Sequence, residues 1–280
     1  NCVGWWQFDE GTGTAVADSS TSNNDGTIGT PTWAGAGTYT PTLSMASGST
    51  STNFNNSSKL RMTGAGKSLT YQTGEVLPHL QIANTSGTIT ASVLTGTNNL
   101  SVYSLKCEGG SSEFTAPNGT LTVTAENSDG MAVECGAFNN CDPSTLKHNN
   151  GTITLNNHSA PCVHGCLVIG VSTSTDGVYD VIVDGANTIA STYAPSGGSQ
   201  DCKVYRNFTV TNGNFKVNGA TNSWKVGGDV AVNGGNMFNT GNAPTAAHEY
   251  GSLLLNSGGT YKATSGTTTI TSEAGTGYAI

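Results

Sequence analysis

The sequence predicts an all-β protein, a β-solenoid of about seven irregular coils closed by an N-terminal β-hairpin or partial jelly-roll cap, on three observations. Apolar residues come in short alternating runs, and no stretch sustains the 3.6-residue period of an amphipathic helix. Only 10% of the 280 residues are charged, against about a quarter in an ordinary domain. Ser, Thr, Asn and 38 glycines carry the polarity instead. The third observation is a spacing that recurs along the chain.

In "SSEFTAPNGTLTVT", Phe114 is followed after four residues by Gly119-Thr120-Leu121. The same offset joins Ile82 to Gly87-Thr88-Ile89 and Leu146 to Gly151-Thr152-Ile153. It returns as Ile182 with Asn187, Phe208 with Gly213, Val230 with Gly235 and Leu254 with Gly259, each followed by an apolar residue two positions on. Gly and Asn visit positive φ most readily, so the motif reads as strand, left-handed corner, strand. Periods of 20 to 50 residues point to solenoids or propellers. Unequal units favour a solenoid, whose stacked coils accept loops of different length. On this reading the seven corners, Gly87, Gly119, Gly151, Asn187, Gly213, Gly235 and Gly259, lie directly over one another at the strand spacing of about 4.8 Å. Residues 126–144 and 156–177 then project as insertions. The repeat domain spans residues 46–280, and residues 1–45 form the hairpin or cap segment.

The opening stretch "CVGWWQFDEGTGTAVADSSTSNNDGTI", residues 2 to 28, resembles the start of the laminin G-like, concanavalin-type jelly-roll family. The likeness rests on Trp5, Trp6, Phe8, Asp9, Glu10, Gly11, Asp18 and Gly26. It implies the first strands of such a jelly roll. The calcium and glycan sites of that family lie on later loops, so it assigns no binding residue here. An alternative on physical grounds is a hairpin whose Trp pair covers the first coil, because solenoid ends need a cap. Together, this opening and the Gly-Thr repeats look like the low-charge β-rich proteins of phage particles and bacterial surfaces.

Charge and apolar content narrow the function. A net charge of −8, with ten unclustered Lys and Arg, offers no footprint for nucleic acid. No run of 18 apolar residues suits a helical membrane span. The chain begins at Asn1 and not at Met, which reads as processing or trimming. No motif calls for a cofactor: "GAGK" at 64 to 67 lacks the spacing of a phosphate loop.

Seven cysteines in so charge-poor a chain favour an oxidising, extracellular setting. Cys135, Cys141, Cys162, His164 and Cys166 invite a zinc reading, but their spacing does not match common zinc ribbons. Counted from their repeat corners, Cys135, Cys166 and Cys202 fall at nearly equal offsets, which predicts one column and disulfides between coils. Cys135 with Cys166 and Cys141 with Cys162 is the first pairing to expect, leaving Cys2, Cys107 or Cys202 unpaired or bridging chains.

Asp176, Asp180 and Asp184 offer carboxylates for calcium or for glycosidic acid-base chemistry. In "VYDVIVDG", however, Asp180 and Asp184 read more simply as the polar face and turn of a strand. The five histidines, at 79, 148, 158, 164 and 248, read as solvated loop residues. Tyr179, Tyr193, Trp224 and the early tryptophans suit either sugar stacking or packing. The expected function is therefore a non-enzymatic structural protein of an exterior surface, first of all a phage virion decoration or fibre component. Its partners are identical or neighbouring subunits. A glycan-binding adhesion module comes second, and a polysaccharide-degrading enzyme third.

Overall fold

The computed structural model describes residues 15–18, 25–27, 42–43, 58–63, 67–83, 87–108, 112–128, 130–135, 145–156, 167–168, 172–185, 189–192, 201–217, 223–238 and 245–272. The chain divides into two units, Asn1–Pro41 and Thr42–Ile280. In the first unit, Ala15–Val16 pairs antiparallel with Gly26–Thr27. The Asp18 amide donates to Asp25 Oδ1 at 3.0 Å. Trp5, Trp6 and most of the laminin G-like stretch lie outside the described residues.

The second unit is a β-solenoid wound from three sheets, and the described strands in it pair parallel with one another. The first sheet stacks nine strands from Lys59–Met62 to Thr260–Tyr261. The second stacks five, from Thr42–Leu43 to Leu146–Lys147. The third runs from Val76–Leu77 to Thr268–Ile270, with Asp201–Val204 paired alongside Ser223–Val232. Each of the first coils visits all three in turn. His79–Ile82 lies in the first sheet, Thr88–Thr95 in the second and Leu100–Val102 in the third.

Alternation within each strand fills the interior. Thr120–Val123 and Thr152–Leu155 show the same half-buried, buried repetition, so their threonines face out and their Leu, Val and Ile face in. In-register pairing turns this into columns. Leu100, Leu121, Ile153, Val181, Phe208, Val230 and Leu253 follow one another up the third sheet, each at most 5% exposed. Polar ladders accompany them: Asn236 donates to Asn214 at 2.8 Å and Asn256 to Asn233 at 2.6 Å.

The corners do not form the single column that the spacing predicts. Gly87 turns from the first sheet into the second, Gly119 and Gly151 from the second into the third, and Gly213, Gly235 and Gly259 from the third into the first. Asn187 lies outside the described residues. Every corner of a coil has the same local need, an inward side chain, a bend and another inward side chain. One spacing therefore marks three different corners. Two copies are also a residue out of register: the inward residues are Val181, Val183 and Leu253, not Ile182 and Leu254.

Nor is the corner always left-handed. Gly87 and Gly213 have φ of 77° and 82°, but Gly119, Gly151, Gly235 and Gly259 have no positive φ. Glycine is needed there for room instead. A Cβ on Gly235 would lie 2.6 Å from the Gly213 carbonyl of the coil below. Residues 126–144 and 156–177 are not simple insertions either. Val133–Cys135 and Leu167–Val168 are strands of the first sheet, and Met131 and Ala132 are buried.

The cysteine column is likewise corrected. Cys135 lies opposite Cys107, one of the three residues left outside the expected pairing, while the next strand sets Leu167 against Val133. Cys202 belongs to a different sheet, opposite Trp224. The error follows from counting offsets along corners that belong to different faces. The Cys107 and Cys135 sulfurs face each other across that pairing at 2.8 Å. Cys141, Cys162 and Cys166 lie outside the described residues.

Candidate functional site

Among the described residues, a grouping of chemically capable side chains sits where the second and third faces meet. The strand Asp180–Val183 buries Val181 and Val183, and its first residue is drawn inward as well, with Asp180 8% exposed. A carboxylate at that depth needs compensation. Arg206, one coil further along the chain, supplies it. Its Nε donates to Asp180 Oδ1 at 2.8 Å, its Nη2 donates to Oδ2, and the Asn207 amide adds a bond to Oδ1 at 3.0 Å. The fork is the bidentate arrangement that suits guanidinium and carboxylate.

Aromatic rings extend the site outward. The Arg206 guanidinium lies 4.5 Å from the Tyr179 ring centre, a cation–π distance. Tyr179 stacks on Tyr205 of the next coil at 5.6 Å and 25°. His148 lies against both, at 5.0 Å and 6.0 Å. The pairing is fixed by the coil ladder, in which the Arg206 amide donates to the Tyr179 carbonyl at 2.8 Å. Tyr179 and Tyr205 are half-buried and Arg206 is exposed, so their outer faces meet solvent.

His148 is buried and neutral by its bonding. Its Nδ1 accepts from the Asn150 amide at 2.9 Å, so the proton sits on Nε2, which donates to the Thr173 carbonyl at 3.2 Å. Burial lowers its pKa, although that carbonyl and the carboxylates of Asp176 and Asp180 pull the other way. Lys147 closes the edge with an ion pair to Asp176 at 2.8 Å and a longer one to Glu113 at 3.8 Å.

The three aspartates picked out from "VYDVIVDG" and its approach are thus held apart by separate partners. Asp176 takes Lys147, Asp180 takes Arg206, and Asp184 accepts from Asn212 at 2.9 Å. Each partner comes from another coil. Two other expectations are corrected. His79, His148 and His248 are 7%, 3% and 1% exposed, so none is a solvated loop residue. Trp224 is fully buried among Phe208 and Phe215 and offers no face to a sugar. His158, His164 and Tyr193 lie outside the described residues. Arg206, Tyr205 and His148 carry no motif of their own in the sequence. The signal that would have found them is coil pairing, since Arg206 follows Asp180 by 26 residues, close to one coil.

Among the described residues no group of three or more His, Cys, Asp or Glu is placed to hold a metal ion, and no helix is long and apolar enough to cross a membrane. Comparison with protein-family models, with curated proteins and with solved structures found no match.

Proposed function

We propose that this chain is a structural element of an exterior surface, first of all a decoration or fibre component of a phage particle, that presents a rigid β-solenoid and packs against identical or neighbouring subunits. The observation that carries this reading is the use made of its few charges: each of the three aspartates above is spent on joining one coil to another. Such wiring suits a scaffold, because it couples nearest neighbours along a quasi-one-dimensional stack. The low charge and the cysteine content support an extracellular setting. Light scattering and electron microscopy of the purified chain test the proposal. Ordered oligomers or filaments, with no turnover of a polysaccharide panel, are the expected result. A chain that stays monomeric at all concentrations and cleaves a polysaccharide overturns it.

A second reading, a glycan-binding or host-adhesion module, is favoured by the Tyr179, Tyr205 and Arg206 corner. Half-exposed rings beside a guanidinium offer a stacking face with hydrogen-bond donors. Binding on a glycan array that disappears in Tyr179→Ala and Tyr205→Ala would establish it. Binding unchanged in both variants would remove that corner from consideration.

A further inference from the structure

We infer that Cys107 and Cys135 form an inter-coil disulfide that closes one full coil of the solenoid into a covalent ring. Leu105–Cys107 and Val133–Cys135 are adjacent parallel strands, paired Leu105 to Val133, Lys106 to Glu134 and Cys107 to Cys135. Both thiols point into the core, each 1% exposed, with their sulfurs 2.8 Å apart. Neighbouring strands lie about 4.8 Å apart, inside the Cα separation that a disulfide accepts. The register is fixed on both sides of the pair. The Leu105 amide donates to the Ala132 carbonyl at 2.9 Å, and Lys106 forms an ion pair with Glu134 at 3.1 Å.

No competing partner stands nearby among the described cysteines. On its other side Cys107 faces Ile82, and Cys202 lies in another sheet. The segment between the two cysteines contains Glu113–Thr115 and Thr120–Val123, one strand from each of the other faces. The bond would therefore lock a complete coil, and it would limit the loss of order at that coil when its neighbours open.

Because the sulfurs are shielded once the coils have stacked, the bond forms during stacking, with a small disulfide as oxidant. The Cys107 thiolate attacks one sulfur of that oxidant and expels the other as a thiolate. The Cys135 thiolate then attacks Cys107 Sγ, breaks the mixed disulfide and releases the second thiolate. The protein pair loses two electrons and two protons, and the oxidant leaves as two thiols.

The test uses the full chain, produced in an oxidising compartment, isolated folded and never reduced. It is alkylated under denaturing conditions and cut after Glu and after aromatic residues, so that Glu108, Glu134 and Phe138 place Cys107, Cys135 and Cys141 on separate peptides. The expected result is a Cys107 peptide joined to a Cys135 peptide, two hydrogens lighter than the sum of the thiols and separated by reductant. Recovery of both cysteines alkylated, or of either one joined to a different cysteine, overturns the inference.

Discussion

The coils between residues 58 and 155 and those between 201 and 270 share one winding but fill it differently. In the first region the core is mostly aliphatic, with Leu80, Ile82, Leu100, Leu105, Leu121 and Val133 buried and Tyr71, His79, Phe114 and His148 as the buried rings among the described residues. In the second, Phe208, Phe215, Trp224, Phe238, His248 and Tyr250 pack ring against ring. The change follows the end of the second sheet at Leu146–Lys147. Beyond it, Ser223–Val232 and His248–Leu255 are long strands with a register shift between Val226 and Asp229. Gly227 and Gly228 stand at that shift, where a side chain on Gly227 would meet the Tyr205 carbonyl. Rings fill the altered cross-section, and they bring polar atoms into the core. Trp224 Nε1 and His248 Nε2 are buried with no hydrogen-bond partner among the described residues. An aliphatic column carries no such liability.

This contrast predicts where the solenoid breaks first. The largest effect is expected from Trp224→Ala, which removes a fully buried ring and should destabilise the second region by about 3–5 kcal/mol. Hydrogen exchange read strand by strand checks it: protection should fall in residues 201–270 and persist in 58–155. Uniform loss throughout would mean that the two regions form a single cooperative unit.

Acid is the next lever. His248 accepts the Trp224 amide on Nδ1, and burial lowers its pKa from the ordinary 6.5 to about 4. The folded chain therefore binds this proton less readily than the unfolded chain. The contribution is complete above pH 6.5 and fades as the pH falls towards 4, by up to about 3 kcal/mol. His148, also held below its ordinary value, titrates with the same sign. The second region should lose protection first on acidification, and His248→Phe should flatten that dependence. An unchanged pH profile in the variant would assign acid sensitivity to other groups.

At the junction between the regions, Asp180→Ala leaves Arg206 and the Asn207 amide without their acceptor. Since Arg206 is exposed, the expected cost is moderate, about 1–3 kcal/mol. A shift in the urea midpoint measures it, and a gain in stability would contradict the stapling role. The smallest effect is expected on the surface of the first region. Arg61→Ala loses one exposed ion pair, to Glu108, and should change stability by about 1 kcal/mol or less, read the same way. A larger loss would show that the pair helps to hold the neighbouring strands in register.

Local rules were readable in the chain. "GTLTV" and "GTITL" alternate so regularly that the faces of Thr120–Val123 and Thr152–Leu155 follow from period two alone. The Gly-Thr spacing likewise marked real corners. It did not say which corner, because Gly87, Gly119 and Gly213 meet the same local demand on three different edges. The site was less legible. Arg206 and Asp180 satisfy each other across a coil, and no short motif records a contact over 26 residues.

The sequence by itself determined that the chain forms short parallel-stacking strands with apolar interiors, since alternation and low charge leave few other ways to bury its Leu, Val and Ile. Tertiary structure alone decided the register between coils, and with it the meeting of Cys107 with Cys135 and of Asp180 with Arg206. The reason is physical: side-chain alternation is written residue by residue, whereas the offset between coils depends on loop lengths that vary from turn to turn and are settled only when whole columns pack.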